Sequence, residues 1–283
     1  MEKIDIFKDI AERTGGDIYL GVVGAVRTGK STFIKKFMEL VVLPGIHSEA
    51  EKSRAIDELP QSAAGRTIMT TEPKFVPNQA AQIQVGEGLD VNIRMVDCVG
   101  YTVPGAKGYE DENGPRMIHT PWYDEPIPFH EAAEIGTRKV IQDHSTLGVV
   151  VTTDGTIGEI PRADYIEAEE RVVEELKEVG KPFIMIVNTV SPYHPDTEVL
   201  RSKLQEKYDI PVLAMSIESM REVDVLNVLR EALFEFPVLE VNVNLPRWVM
   251  VLNEDHWLRG SYQDAIRETV QDIKRLRDVD RLV

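Results

Sequence analysis

The sequence predicts an α/β fold with a mostly parallel sheet, helices on both faces, and the start of a second small α+β unit. Over residues 17–236, short apolar runs alternate with longer amphipathic segments, as in parallel strands joined by helices. One glycine-rich loop, GAVRTGKS at 24–31, lies between such a run and such a segment. After Pro237 the alternation changes character, which predicts a boundary between two domains.

Composition bounds the possible functions. The chain has 283 residues, 42% of them hydrophobic, and 32 basic against 48 acidic side chains give a net charge of −16. We expect no nucleic-acid partner, because such a binder needs a basic footprint. Cys98 is the single cysteine, so no intramolecular disulfide can form. The histidines show no metal-ligand spacing with it.

The N-terminal elements follow from periodicity and turn residues. Residues 1–16 read as an amphipathic helix of the kind that covers a core, ended by two glycines. The run IYLGVVG predicts a strand, and the apolar positions after the loop predict a helix. Residues 44–73 are polar with turn signals. Runs at about 81–86 and 91–96 predict a hairpin.

The elements after the hairpin alternate strand and helix. Residues 98–130 form a long Gly- and Pro-rich insert. Loops of this length are typically functional or mobile. The apolar runs predict strands at 147–154, 182–188 and 210–216, and periodic segments predict helices at about 163–179, 196–207 and 222–235.

The sequence divides into an N-terminal helix (1–16), a nucleotide-binding domain (17–236) and the beginning of a further domain (237–283). In the last segment, VLEVNVNLP alternates apolar and polar residues, which predicts a strand with one solvated face, and 248–279 is charged and helical in pattern. The chain stops in or just after that helix, so we expect this unit to be truncated. No stretch of about 18 apolar residues and no signal-peptide core occur, so we expect a cytoplasmic protein without a membrane span.

The glycine-rich loop is the strongest functional signal. It matches G-x-x-x-x-G-K-[ST] at every fixed position. In this motif the backbone N–H groups converge on phosphate at a helix N-terminus. Lys30 is expected to reach the β- and γ-phosphates, and the Ser31 hydroxyl to bind Mg²⁺. The alternative is a chance glycine turn with a capping serine, which motif and context together disfavour. We expect the nucleotide to contact Gly24, Ala25, Val26, Arg27, Thr28, Gly29, Lys30, Ser31 and Thr32.

A second part of the site is expected where VNIRMV ends, at Asp97-Cys98-Val99-Gly100. A carboxylate at this strand end would hold Mg²⁺, usually through water, and the Gly100 N–H would approach the γ-phosphate. The alternative is that Asp97 only forms a turn or cap. Spacing from the loop and the preceding hairpin favour the magnesium role.

A threonine run supplies the third part. GRTIMTT at 65–71 places hydroxyls where P-loop GTPases carry the threonine that closes on Mg²⁺ and γ-phosphate. We expect Thr70 or Thr71 to sense the γ-phosphate and Thr70 to be a metal ligand. A β-prone start of a strand is the alternative.

The base-recognition segment indicates ATP rather than GTP. In translation-factor-type GTPases the corresponding strand ends in N-K-x-D, whose aspartate binds guanine. Here it ends in NTVS, residues 188–191, so Asn188 is kept while the lysine and the discriminating carboxylate are replaced. Loss of such a contact costs several kcal/mol of discrimination, on the order of the value for an unpaired buried group. Asp196 could restore the role only in a shifted loop.

Two residues bear on hydrolysis. Tyr101 stands where many GTPases place a water-orienting glutamine, and a phenol cannot replace that amide. Arg27 stands where potassium-dependent relatives have an asparagine that holds the cation. One hypothesis is that Arg27 supplies the charge as an arginine finger within the chain; the other is a surface arginine paired with an acidic loop.

The insert carries aromatic residues at Tyr101, Tyr109, Trp122, Tyr123 and Phe129. They could anchor a partner surface, since aromatic side chains dominate binding hot spots. They could equally form the insert's own small core.

Four stretches closely resemble the stage IV sporulation protein A family, the coat morphogenetic ATPases of endospore-forming bacteria. These are residues 1–44, 57–80, 96–118 and 124–128, and the likeness extends over essentially all of the chain. The resemblance implies a GTPase-derived P-loop domain that binds and hydrolyses ATP with Mg²⁺. It matches Lys30 to the family's P-loop lysine, Asp97 to its magnesium-linked acid, and Thr70 and Thr71 to its sensing threonines.

The resemblance also implies partners and a location. Members polymerise into a static shell around the forespore, on the mother-cell side of its outer membrane. They continue beyond the length of this chain into regions linked to self-assembly, to a small amphipathic membrane peptide and to other coat proteins. Two other interpretations stay open: a scaffold that nucleotide only braces, and a GTP-dependent switch with regulatory partners.

Overall fold

The computed structural model describes residues 3–60, 74–84, 90–106, 110–111, 114–120, 123–253 and 256–282. The chain forms two compact units, Met1–Ala232 and Leu233–Val283.

The strands are β1 Asp17–Val23, β2 Lys74–Gln84, β3 Asp90–Asp97, β4 Glu110–Asp111, β5 Gly114–Pro115, β6 Met117–Thr120, β7 Tyr123–Pro128, β8 Leu147–Thr153, β9 Phe183–Asn188 and β10 Val212–Met215. The α-helices are α1 Lys3–Thr14, α2 Lys30–Phe37, α3 Leu43–Gly45, α4 Glu49–Asp57, α5 Phe129–His144, α6 Ile166–Val179, α7 Pro195–Tyr208, α8 Glu222–Phe234, α9 Arg247–Met250, α10 Trp257–Gln271 and α11 Leu276–Leu282. A π-helical turn, Met38–Val42, follows α2, and a 3-10 turn, Arg162–Tyr165, precedes α6.

The central sheet has the strand order β10-β9-β8-β1-β3-β2. All neighbouring pairs are parallel except β2 and β3, which form the predicted antiparallel hairpin. Because parallel strands need crossovers, helices must lie over the sheet. The predicted α/β class with a mostly parallel sheet is confirmed.

Both faces of the sheet are buried, as the near-continuous apolar strands predict. On one face, Val150 of β8 and Met185 of β9 join an apolar cluster with residues of α5, α6 and α7. Side chains of successive strand residues point to opposite faces, so the fully buried Val149 and Ile184 face the other layer. In that layer α1 and α2 contact β1.

Most predicted elements lie where periodicity placed them, but two longer helices, α4 and α5, and the three-residue helix α3 were missed. The polar helix α4 buries only Ala55, so it carries almost no apolar stripe. Helix α5 begins at the end of the Gly- and Pro-rich insert and buries small residues such as Ala132, Ala133 and Gly136. Their small side chains weaken the apolar period on which the prediction depended.

The predicted strand at VLEVNVNLP is wrong. Residues 238–246 have no regular structure, and an isolated bridge joins Pro237 to Arg275. Leu239 is 94% exposed, and Val241 and Val243 are also exposed. In the described part of the chain no strand pairs with this segment, and alternation without a partner strand or a covering layer does not stabilise a strand.

The C-terminal unit is helical after residue 246, but in pieces. The stretch 248–279, predicted as helical, contains α9, α10 and the start of α11 with breaks between them. Within this unit the buried carboxylate of Glu235 pairs with Arg275 at 2.8 Å and with Arg277 at 3.2 Å. Among the described residues, no helix has both the length and the apolar character needed to cross a bilayer.

The insert contains the short pairs β4–β5 and β6–β7. Its aromatic residues do not form one exposed surface, because Tyr101 and Phe129 are buried in the main core while Tyr123 is half-exposed. Tyr109 and Trp122 lie outside the described residues. Tyr101 and Phe129 are therefore core residues rather than partner anchors.

Candidate nucleotide-binding site

The carboxyl ends of β1, β3, β8, β9 and β10 meet at one edge of the sheet, where open α/β folds bind ligands. The loop 24–29 leaves β1 there and enters α2. Gly24 has φ of +137°, and a Cβ on it would lie 2.2 Å from the Val151 carbonyl oxygen. Gly29 has φ of +98° and is the N-cap of α2. Only glycine combines these conformations with such close approach.

The side chain of Lys30 folds back into the loop that precedes this residue in the sequence. Its side chain is 5% exposed, and its Nζ donates to the Ala25 carbonyl at 2.6 Å. The Thr28 hydroxyl donates to the same carbonyl at 3.0 Å. Burial lowers the pKa of Lys30 to about 8, although Asp97 and Cys98 act in the opposite direction. The loop is thus closed around the ammonium group.

Ser31 and Asp97 are in direct contact. The Ser31 hydroxyl donates to Asp97 Oδ2 at 2.7 Å. The other carboxylate oxygen, Oδ1, is buried and has no hydrogen-bond partner among the described residues. Burial raises the pKa of Asp97, partly offset by the Ser31 hydrogen bond and by Lys30. A buried carboxylate oxygen without a partner is costly unless something binds it.

This pair fits a magnesium ion. Mg²⁺ prefers hard oxygen ligands and takes one or two protein groups, keeping several waters. Ser31 Oγ and Asp97 Oδ1 are such ligands, and they sit beside the lysine expected to meet phosphate. Thr70 and Thr71, the remaining predicted metal and γ-phosphate residues, lie outside the described residues.

The segment 98–101 is joined to the P-loop by backbone hydrogen bonds. Val26 N–H donates to the Tyr101 carbonyl at 2.8 Å, and Tyr101 N–H donates to the Gly24 carbonyl at 3.2 Å. Val26 is one of the nine loop residues predicted to contact the nucleotide. Its N–H is directed at the Tyr101 carbonyl, and its side chain is buried. Gly100 has φ of +91°, and a Cβ there would be 2.3 Å from Lys30 Nζ.

Asn188 ties three strand ends together. Its Nδ2 donates to the Thr28 carbonyl at 3.0 Å, and its Oδ1 accepts from the Ile217 N–H at 3.1 Å. A Cβ on Gly29 would meet the same amide at 2.4 Å. The residue expected to bind nucleotide thus also holds the P-loop against the segment after β10.

The segment after Asn188 is shaped by residues that sequence reasoning missed. The Thr189 hydroxyl is fully buried and donates to Asp154 Oδ2 at 2.6 Å, while Asp154 Oδ1 accepts from the Thr156 N–H at 3.0 Å. Ser191 N–H donates to the Thr189 hydroxyl at 3.1 Å. Asp154 follows β8 as Asp97 ends β3, so the same argument from strand ends could have found it. Thr189 therefore turns inward, and Ser191 stays exposed.

Arg27 has φ of +65°, a left-handed conformation that is uncommon for a side chain other than Asn or Asp. It is partly buried and interacts electrostatically with Tyr165, whose pKa is raised by burial and lowered by Arg27. Ala25 is buried, and Thr32 is partly buried on α2.

Two family models match the chain. The model of stage IV sporulation protein A, ATPase domain, matches residues 1–237, and that of the same protein's middle domain matches residues 238–283. Proteins called stage IV sporulation protein A from Bacillus anthracis and Bacillus subtilis (strain 168) are 84% and 83% identical over 283 residues. The chain spans 58% of the length of each of them and is itself covered completely.

Among solved structures, the apo translation elongation factor SelB of Methanococcus maripaludis is similar at 15% identity with a TM-score of 0.39. The match covers 76% of this chain and 33% of that one.

Proposed function

Because this chain belongs to the stage IV sporulation protein A family, we propose that it is a sporulation ATPase whose ATP cycle drives its self-assembly into the basement layer of the spore coat. The observation that carries the proposal is the contact between Ser31 and Asp97 beside Lys30, with one buried Asp97 oxygen left for a ligand. Lys30 and Ser31 belong to α2 and Asp97 to β3, and their convergence fits the binding of a magnesium–nucleotide complex.

In this proposal, Ser31, Asp97 and Thr70 hold Mg²⁺. The ion, when bound, neutralises charge on the β- and γ-phosphate oxygens. The chain's own groups do the rest. Lys30 exchanges its bond to the Ala25 carbonyl for the phosphates, and burial strengthens that interaction. The N–H of Gly100 and the hydroxyls of Thr70 and Thr71 are assigned to the γ-phosphate.

The choice of ATP is supported by the segment 188–191. Guanine recognition needs a carboxylate at the fourth position, and Ser191 is there instead. Thr189, where the GTPase pattern has a lysine, is fully buried against Asp154 and offers no side chain to the base. We infer that guanine discrimination is lost.

Arg27 is proposed to supply positive charge to the phosphates from within the loop. Its left-handed backbone and partial burial at the strand-end edge support this role over that of an ordinary surface arginine. Turnover by Arg27→Ala should fall at every potassium concentration, with Arg27→Lys as the charge-retaining control. Unchanged turnover of Arg27→Ala would remove Arg27 from the mechanism.

The decisive experiment measures phosphate release from ATP and GTP in parallel, at increasing protein concentration. We expect release from ATP that Lys30→Ala abolishes. The matched variant Lys35→Ala, at a position on the same helix whose side chain is 44% exposed, should leave that release unchanged. A rate per subunit that climbs with concentration would link hydrolysis to assembly.

Two other outcomes would favour the competing functions. Bound nucleotide that is never hydrolysed would support a nucleotide-braced scaffold, and GTP that displaces ATP at equal concentration would support a switch. By relation to the family we further propose that the protein acts at the mother-cell surface of the outer forespore membrane. Its proposed partners are its own copies, an amphipathic membrane peptide and other coat proteins.

A further inference from the structure

Tyr101 is attached to the P-loop through its backbone. Its N–H and carbonyl bond to Gly24 and Val26, so the parallel pairing of β1 and β3 continues past the ends of both strands as an Ala25–Tyr101 bridge. Tyr101 is therefore fixed relative to the loop that surrounds Lys30.

The side chain of Tyr101 points the other way, into the core. It is 2% exposed, and its hydroxyl donates to Glu175 Oε2. Burial, and then the hydrogen bond to Glu175, raises the pKa of Tyr101. The hydroxyl is thus a neutral donor at any ordinary pH.

Glu175 is a firm acceptor because its helix is fixed. Neighbouring residues of α6, Val172 and Leu176, are completely buried. The Glu175 carboxylate also faces Arg138 of α5 at 3.9 Å and Arg171 of α6 at 3.8 Å. These two ion pairs hold the carboxylate in place beside the Tyr101 hydroxyl.

Only three residues separate Asp97 from Tyr101. Asp97 is held at the end of β3 and by Ser31, and the intervening Cys98 and Val99 are buried. With both ends of so short a segment fixed, the backbone of Gly100 has little freedom. Gly100 also lies next to Lys30, since a Cβ added to it would be 2.3 Å from Lys30 Nζ.

We propose that Tyr101 is a positioning residue for ATP hydrolysis, whose hydrogen bond to Glu175 holds Gly100 and the adjoining P-loop in the geometry that the γ-phosphate requires. This inference rests on the function proposed above. It gives Tyr101 a task other than orienting water, since its hydroxyl faces the helix layer and not the phosphate site.

The test compares Tyr101→Phe with Tyr208→Phe in the 283-residue chain. Tyr208 provides a close control, because its buried hydroxyl also donates to a glutamate of α6, Glu169, at 3.1 Å. We expect Tyr101→Phe to lower kcat for ATP by about tenfold, as misplaced reacting groups do, with KM within about twofold. Tyr208→Phe should keep kcat within about twofold.

A second readout needs no hydrolysis. In the nucleotide-free chain, amide hydrogen exchange of the segment 98–101 should be at least about fivefold faster in Tyr101→Phe than in the wild type, because local opening costs less. The same amides should exchange at the wild-type rate in Tyr208→Phe.

The acceptor can be tested separately. Glu175→Gln retains an oxygen that accepts from Tyr101 and should keep kcat within about threefold, whereas Glu175→Ala should match Tyr101→Phe. In the double variant Tyr101→Phe/Glu175→Ala the loss should not multiply, because both changes remove one interaction.

The outcomes separate the two proposals. If the wild type releases no phosphate, the proposed function fails and this inference fails with it. If the wild type turns over and Tyr101→Phe is equally fast, or if Tyr101→Phe and Tyr208→Phe slow equally, the proposed function stands and the positioning role is refuted.

Discussion

Gly100 shows how a single missing side chain permits the geometry of this site. Its left-handed φ and the nearness of Lys30 Nζ leave no room for a Cβ, which would also lie 2.6 Å from the Gly24 carbonyl oxygen. A substitution there must push apart the two segments that the proposal assigns to phosphate.

We predict that Gly100→Ala lowers the ATPase rate more than tenfold. The added Cβ must push the P-loop and the Gly100 backbone apart by tenths of an ångström or more, and reacting groups would then be misplaced. The control is Gly180→Ala. Gly180 also has a left-handed φ, of +70°, but nothing lies within 4 Å of its added Cβ. It should lose only about 1 kcal/mol of unfolding free energy, with its turnover intact. Comparable turnover losses in both variants would show that backbone strain alone explains the effect.

We predict that Lys30 links ATP binding to pH. Its pKa of about 8 in the free chain arises from burial, and phosphate charges in the complex will raise that pKa. Above pH 8 the free lysine is mostly neutral, so binding must take up a proton and the affinity falls by up to about tenfold per pH unit. Below pH 8 both states are protonated and this dependence disappears.

Calorimetry with a non-hydrolysed ATP analogue at pH 7 and pH 9, in buffers of different ionisation enthalpy, measures that proton uptake. In Lys30→Arg the guanidinium stays charged, so the pH dependence should vanish whatever the absolute affinity. Equal affinity at both pH values in the wild type would contradict the lowered pKa.

At the scale of elements, the site depends on how strand ends are held together. Asn188 at the end of β9 bonds to the P-loop and to the segment after β10, and Thr189 bonds to Asp154 after β8. The phosphate loop is therefore fixed from the side by neighbouring strands as well as by its own turn.

We predict that Asn188→Ala lowers the unfolding free energy by about 2–3 kcal/mol, because the Thr28 carbonyl and the Ile217 N–H lose their partner. It should also weaken ATP binding. The matched variant Asn92→Ala breaks one hydrogen bond, from Asn92 to Asp17 at 2.9 Å between β3 and β1. It should cost about 1 kcal/mol and leave ATP binding unchanged. Urea unfolding and titration of the ATP analogue test both predictions. Unaltered binding by Asn188→Ala would show that the Asn188 hydrogen bonds do not hold the P-loop in its binding geometry.

At the scale of the whole molecule, the net charge of −16 opposes the proposed assembly. Between about 0.01 M and 0.1 M salt the Debye length falls from about 30 Å to about 10 Å. We predict that sedimentation velocity detects larger species at 0.1 M than at 0.01 M for the same protein concentration with ATP. A decrease in size on adding salt would instead indicate that complementary charged patches hold the copies together.

The sequence by itself determined the P-loop, the strand-end Asp97, the positions of the main strands along the chain and most helices, because these depend on residues close together in the chain. Periodicity and turn chemistry act over a few residues and are visible in one dimension. The same local reasoning failed where side chains were small, as in α5, and where alternation had no partner strand, as in 238–246.

The tertiary structure alone decided how these parts engage each other. In the sequence, Tyr101 looks like the replacement of a catalytic residue. In the structure, its hydroxyl donates a hydrogen bond in the core to Glu175, which lies 74 positions further along the chain. Asn188 donates a hydrogen bond to Thr28, 160 positions away in the chain. No local pattern in either segment predicts this contact. Such contacts depend on the packing of helices against the sheet, and packing sums the shapes of many distant residues that no local pattern encodes.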